Sequence, residues 1–314
     1  MKENLNQDTG FGEKSTDMGG RMVNKDGSFN IKRKGISVKD RASGYQSMLT
    51  MSRPRFLATI FLFYFLMNCF FTALYWLAGP SGLEGVQKVE FWDRIKELFF
   101  FSTQTLTTVG YGRINPISEA ANWIAAVESL IGFLSLAIAT GLLYGRFSRP
   151  RAFIRFSDFL VYTHYKGTKA LMFRLVCYKD DHLLMNAEIK VNVRIVTNDH
   201  SYRFFNLKLE RSRVDSLVLN WTVVHPIDEE SPFYGLSQKE IVNLQPEISA
   251  YLTGFDEVFS SIVVARISYA IQDFKFGFKF LPMYFSKSMR TDLDLSKLNL
   301  IDQEKKTPRA IGAF

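Results

Sequence analysis

Six consecutive residues, Thr107, Thr108, Val109, Gly110, Tyr111 and Gly112, place two threonine hydroxyls, two glycines and an unbroken run of backbone carbonyls together without a charged side chain. A cation stripped of its water needs oxygens in place of that shell. Stacked carbonyls with a threonine hydroxyl supply them without a fixed charge that would trap the ion. Gly110 and Gly112 permit backbone angles that side chains forbid, and Tyr111 can pack outward and hold such a site open. Other constellations are weaker. His164, His182, His200 and His225 have no metal-ligand spacing, and scattered Ser, His and Asp residues define no triad, so the chain reads as a non-enzyme with no cofactor. Cys69 and Cys177 offer no disulfide framework.

The elements that would hold this segment are apolar. Phe56 to Gly79 is a run of 24 residues without a charge, long enough as a helix to cross a bilayer. A second run, Ala120 to Phe147, contains one acid, Glu128, before Arg146. Between them residues 91–106, FWDRIKELFFFSTQTL, place Trp92, Ile95, Leu98 and Phe99 at helical spacing. Sixteen residues are too few to cross and return as helices. A short helix that dips in and returns as extended backbone fits, provided that backbone lines a protein-enclosed cavity. The pentapeptide TVGYG at 108–112 is the potassium-channel filter sequence. One chain supplies one of the four loops such a filter uses, so a homotetramer is expected, with K+ held at Thr108, Val109, Gly110 and Tyr111.

The chain has 314 residues, a formal charge of +8 and 47% hydrophobic side chains, which excludes collagen-like, disulfide-scaffold and wholly disordered classes. The charge is segregated. Residues 31–55 carry +6 and residues 146–155 carry +4, so the remainder sums to −2. Bases flanking both spans put both termini in the cytoplasm by the positive-inside rule, and direct the basic excess to anionic lipid, not to nucleic acid. Residues 1–30 read as a polar tail without a secretory signal. Beyond the spans, Ala187, Ile189, Val191, Val193 and Ile195 alternate with Glu188, Lys190, Asn192 and Arg194. Similar runs at 171–178, 202–209, 217–224 and 262–270 predict an antiparallel sandwich.

Arg146-Phe147-Ser148-Arg149-Pro150-Arg151-Ala152, Trp221-Thr222-Val223-Val224-His225-Pro226-Ile227-Asp228, Ser231-Pro232-Phe233-Tyr234-Gly235 and Arg266-Ile267-Ser268-Tyr269 follow in order. From about Asn24 to Phe280 the set closely resembles the inward-rectifier potassium channel family, especially its prokaryotic branch. Taken alone, His225 before a proline reads as a packed turn.

The resemblance implies a pore of two transmembrane helices with a re-entrant pore helix, followed by an immunoglobulin-like cytoplasmic β-sandwich. Its boundaries would be a tail over 1–37, a slide helix and pore domain over 38–147, and the sandwich over 148–314. Within the pore domain it expects spans at about 56–79 and 120–147, a pore helix at 91–106 and an amphipathic slide helix over Ala42 to Arg53. Asn24 to Ile31 would supply a strand or remain tail. Leu136 takes the cavity position that is acidic in strongly rectifying relatives, and Tyr144 the bundle-crossing constriction. Gly132 and Gly141 serve as hinges or close-packing points, and Glu128 lies behind or below the filter.

Rectification in the family comes from intracellular Mg2+ or polyamines held by pore acids. Leu136 and Asn186 are neutral here and Glu257, with Asp256, remains as the cytoplasmic acidic ring, which implies weak rectification. Arg53, Arg55, Arg149, Arg151 and Arg155 would meet anionic lipid, with phosphoinositide control of unspecified sign. The absence of the eukaryotic cysteine pair from 79–119, and Gln104 in place of a pore-helix glutamate, point to a bacterial plasma membrane. The competing classes are a two-span cation channel gated by a cytoplasmic ligand domain, although 150–314 contains no GxGxxG, and a potassium transporter subunit, which would need repeated pore segments.

Overall fold

The computed structural model describes residues 14–15, 21, 23–32, 34–35, 37, 44–87, 90–196, 202–287 and 290–303. Most of the expected tail, the bases Arg33, Lys39 and Arg41, the first residues of the expected slide helix and His200 lie outside the described residues. The chain forms two compact units, Lys34–Arg149 and Pro150–Phe314 with Met1–Arg33.

The first unit is helical, with α1 over Gly44–Thr50, α2 over Arg53–Ala78, α3 over Phe91–Leu106 and α4 over Glu119–Phe147. Pro54 sits in the first turn of α2, where its missing N–H costs nothing, and Gly79 at φ 95° ends that helix. Ser118 caps α4 by accepting the N–H of Ala121 at 3.2 Å. Only 17% of the most apolar stretch of α2, and of α4, is buried, leaving side chains such as Phe61, Leu66, Phe133 and Ile138 exposed. A soluble protein buries such helices; these present their apolar faces outward, as membrane spans do. Phe71, Tyr75, Leu98, Phe101, Leu106 and Ala121 join α2, α3 and α4 in one packed cluster.

The second unit is a β-sandwich. Its strands are β1 (Ile154–Phe156), β2 (Leu160–Tyr165), β3 (Thr168–Cys177), β4 (Leu184–Val196), β5 (Tyr202–Asn206), β6 (Arg213–Leu217), β7 (Trp221–Ile227), β8 (Glu247–Asp256), β9 (Ser261–Ala270) and β10 (Phe274–Phe276). One sheet runs β5-β4-β8-β9, with β6 also on β4 and Lys14–Ser15 added beside β5. The other runs β7-β3-β2-β10, with β1 also on β3 and only β10 parallel to its neighbour. The alternating face of β4, Ala187 through Ile195, is buried against Phe173, Leu175, Val223, Ile248 and Ile267 from both sheets.

Two expected strands differ. The run 217–224 is split, because Val218, Leu219 and Asn220 turn the chain from β6 into β7. Residues 24–31 form a turn closed by a Val23–Phe29 bridge, with Gly27 at φ 81° where a Cβ would stand 2.5 Å from the Arg266 carbonyl oxygen. The segment is nevertheless held to β9. Ser268 Oγ donates to the Val23 carbonyl at 2.5 Å, and Arg21 and Lys25 reach Asp273 at 3.2 and 3.1 Å.

Candidate functional site

Helix α3 ends on Thr107, and the chain then runs through residues 108–112 with φ values of 60° at Thr108, 52° at Gly110 and 80° at Gly112, while Val109 and Tyr111 keep negative φ. A backbone whose handedness alternates residue by residue turns successive peptide planes the same way, whereas in an ordinary strand they alternate. A β-branched threonine at positive φ is strained, and strain of this kind gathers at functional sites. The N–H groups are used on one side: those of Val109 and Gly110 donate to the Gln104 carbonyl at 2.9 and 3.2 Å, and that of Thr108 to Thr105 at 3.0 Å. Among the described residues none donates to the carbonyls of Thr108, Val109, Gly110 or Tyr111. Val109 and Tyr111 are exposed, and no atom lies within 4 Å of a Cβ built on Gly110 or Gly112. Thr107 differs from its neighbours: its hydroxyl donates to the Thr103 carbonyl at 2.7 Å and so finishes the helix.

A buried polar cluster joins α2, α3 and α4. Glu128, fully buried on α4, accepts from the Tyr75 hydroxyl of α2 at 2.6 Å and from Ser102 Oγ of α3 at 2.5 Å. Ser102 Oγ is also 3.1 Å from Asn68 Oδ1, and Asn68 Nδ2 donates to the Tyr64 carbonyl at 2.8 Å. One carboxyl thus ties three helices. An acid among lipid-facing helices is tolerated when it points inward and both oxygens are satisfied.

On α4, Gly132 is a close-packing point: a Cβ there would stand 2.0 Å from the Leu106 carbonyl oxygen, whereas Gly141 has nothing within 4 Å. Leu136 and Tyr144 are both exposed, separated by eight residues, or about 12 Å of helix. Arg146 was legible in the sequence only as a base. Its Nη1 donates to the Met48 carbonyl at 2.7 Å, its Nη2 to that of Met51 at 2.9 Å, and its guanidinium lies 4.4 Å from the Phe56 ring centre. It satisfies carbonyls at the end of α1 and fixes that short helix to α2 and α4.

In the sandwich Asn186 is exposed at φ 49° and accepts from Arg213 Nη2 at 2.8 Å. Glu257 is exposed, but Asp256 is not the acid expected beside it. Asp256 is fully buried, bound to His182 Nδ1 at 2.8 Å and to the Phe259 N–H at 2.9 Å, because neighbouring residues at a strand end face opposite sides. His225 is buried, with Nδ1 2.6 Å from the Lys208 carbonyl and Nε2 2.9 Å from Ser231 Oγ. Burial holds its pKa below the usual imidazole value. Tyr269 donates to the Ser157 carbonyl at 2.9 Å from a fully buried position. Arg53 and Arg55 are exposed and Arg149 is half-buried in the helical unit. Arg151 and Arg155 are exposed in the sandwich unit, where the Arg155 guanidinium lies over the Tyr178 ring at 5.1 Å.

A pair of exposed apolar spans, a short helix between them and an extended strand of unpartnered carbonyls define a pore-forming channel subunit. Residues 57–149 match the family model described as "Ion channel", and residues 154–311 match "Inward rectifier potassium channel C-terminal domain". Over 291 residues the chain is 36% identical to inward rectifier potassium channel Kirbac3.1 of Paramagnetospirillum magnetotacticum, covering 90% of this chain and 96% of the relative. It is 26% identical to ATP-sensitive inward rectifier potassium channel 12 of Mus musculus and of Bos taurus, over 67% of this chain and 52% of each relative. The chain belongs to the inward rectifier potassium channel family. It is a membrane potassium-channel protein, and not an enzyme.

Proposed function

We propose that four copies of this chain surround one pore, and that Thr108, Val109, Gly110 and Tyr111 of each copy bind dehydrated K+ in turn, with Gly112 closing the strand. The observation that carries the reading is the set of unpartnered carbonyls on a backbone of alternating handedness, N–H groups facing α3 and oxygens left for an ion. Four such strands give each ion a complete oxygen shell, and the exposure of Val109 and Tyr111 in one chain is what fourfold packing would cover.

Leu136 and Tyr144 form hydrophobic collars below the filter, Tyr144 being the narrower gate. With neutral Leu136 and Asn186 along the conduction path, and Glu257 as the remaining cytoplasmic acid, intracellular Mg2+ and polyamines bind weakly and rectification is shallow. Arg53, Arg55, Arg149, Arg151 and Arg155 recruit anionic lipid, phosphoinositide included, at about 1 kcal/mol each. The channel resides in a bacterial inner membrane with both termini cytoplasmic. Its parts are a tail over 1–37, the pore domain over 38–147 and the cytoplasmic sandwich over 148–314.

Purified channel in liposomes tests this: uptake of K+ in preference to Na+, blocked by Ba2+, is expected. Flux without selectivity, or a solution mass other than four chains, removes the reading. Steep voltage-dependent block by low micromolar spermine would remove weak rectification alone.

A further inference from the structure

Glu97 lies on α3, about three turns before the filter, and is 6% exposed. Its Oε1 is 2.9 Å from Nη2 of Arg113, the residue immediately after Gly112, and its Oε2 accepts the Gln87 N–H at 3.2 Å. The backbone around Arg113 is fixed as well. Leu83 pairs with Pro116 and Glu84 with Asn115, and the N–H groups of Ile117 and Ser118 donate to the Gly82 carbonyl at 2.8 and 3.1 Å. At Gly85, with φ 89°, a Cβ would stand 2.1 Å from the Arg113 carbonyl oxygen, so only glycine lets the two segments approach.

A guanidinium one residue past a cation filter raises the potential where cations enter, and fourfold symmetry multiplies the effect. Such a field is long-ranged at low ionic strength and screened at high. The Arg113 side chain is 64% exposed, so its charge reaches the solution unless something beside it cancels it. The buried Glu97 carboxylate is that neighbour, and it in turn needs a cation to be stable in its pocket.

We propose that Glu97 is a positioning residue for ion entry: it holds Arg113 and cancels its charge at the filter mouth remote from Tyr144, setting how fast K+ enters there and how tightly divalent cations block from that side. The inference rests on the filter reading of residues 108–112.

The experiment is bilayer recording of the full-length channel with both faces accessible, comparing the parent with Glu97→Gln, Arg113→Gln and the two combined. The parent must first pass K+ over Na+ with Ba2+ block; if it does not, the filter reading has failed, whatever the variants do. Glu97→Gln is expected to lower conductance for entry from the remote mouth about threefold at ~20 mM salt, with the deficit fading at ~1 M. Arg113→Gln should tighten Ba2+ block from that mouth about threefold at low salt, and the double variant should lie within about 1.5-fold of the parent. Equal, salt-independent loss in all three variants would make the pair a staple only and overturn the proposal, as would four indistinguishable channels. If a single variant does not assemble, rescue of assembly by the double variant with the parent's salt dependence supports the pairing. Failure of that rescue refutes it.

Discussion

The segment 107–112 and the segment 225–235 were the two most recognisable stretches of the sequence, yet they handle their polar groups in opposite ways. In 225–235 the groups are satisfied inside the sandwich: neutral His225 donates from Nδ1 to the Lys208 carbonyl, Ser231 Oγ donates to His225 Nε2 and accepts the Phe233 N–H at 3.2 Å, and Phe233 is buried. In 107–112 the N–H groups of Thr107 through Gly110 are satisfied by α3, and among the described residues nothing donates to the carbonyls of Thr108 through Tyr111. A motif that completes itself is structural. A motif that leaves one kind of polar group systematically unfinished expects a ligand of the complementary charge.

Gly110→Val puts the sharpest test on that contrast. A β-branched residue at φ 52° is forced out of the strand's backbone conformation, and selective K+ flux should fall by at least ~100-fold while thermal unfolding of the sandwich unit is unmoved. Persistence of flux would erase the distinction between the two segments. Glu128→Ala should act next most strongly: the Tyr75 and Ser102 hydroxyls lose their acceptor, at about 1–3 kcal/mol for each buried donor. We expect a lowered melting temperature of the channel in detergent and a flux reduced about tenfold, with Glu128→Gln intermediate.

His225→Ala should destabilise the sandwich by about 1–3 kcal/mol and leave K+/Na+ selectivity as it was, since its partners are internal. The same residue predicts a pH slope. The unfolded imidazole takes up a proton near pH 6.5, the folded one only at lower pH. The unfolded state therefore holds more protons as pH falls below about 6.5, so stability drops in that window and is unaffected above it. Denaturant titrations of parent and His225→Ala across pH 5–8 would show whether the slope belongs to this residue. The smallest effect is expected at the strand end: Glu257→Gln should weaken spermine block a few-fold, and Asp256→Asn should leave it alone, because only the first carboxylate faces solvent. Block recorded from the cytoplasmic side distinguishes them.

Sequence patterns revealed what depends on local periodicity. The uncharged runs give α2 and α4, the one-sided apolar pattern gives α3, and strict alternation gives β4 because its inner face meets both sheets. β2 escaped because its first four residues are all buried, so no alternation exists to detect. β8 escaped because its buried positions include Ala250 and Gly254, the latter so near Leu184 that an added Cβ would stand 3.4 Å from it, and small residues do not announce a strand. The site divides in the same way. The proposed filter is five adjacent letters, whereas the partners of Glu128 are 26 and 53 residues away and no spacing rule brings them together. Asp256 was recoverable in principle: the two-residue period of a strand allows only one of two adjacent acids to face a given side.

The two glycines of α4 have a mechanical consequence. At position 132 α4 lies so close to the last carbonyl of α3 that an added Cβ would stand 2.0 Å from it, whereas one added at 141, nine residues on, would meet nothing within 4 Å. The far end is pinned as well, since Arg146 holds the carbonyls of Met48 and Met51. The helix is thus a beam held at its middle and at one end, and even a methyl group added at 132 would push the end of α3, and Thr107 with it, out of place.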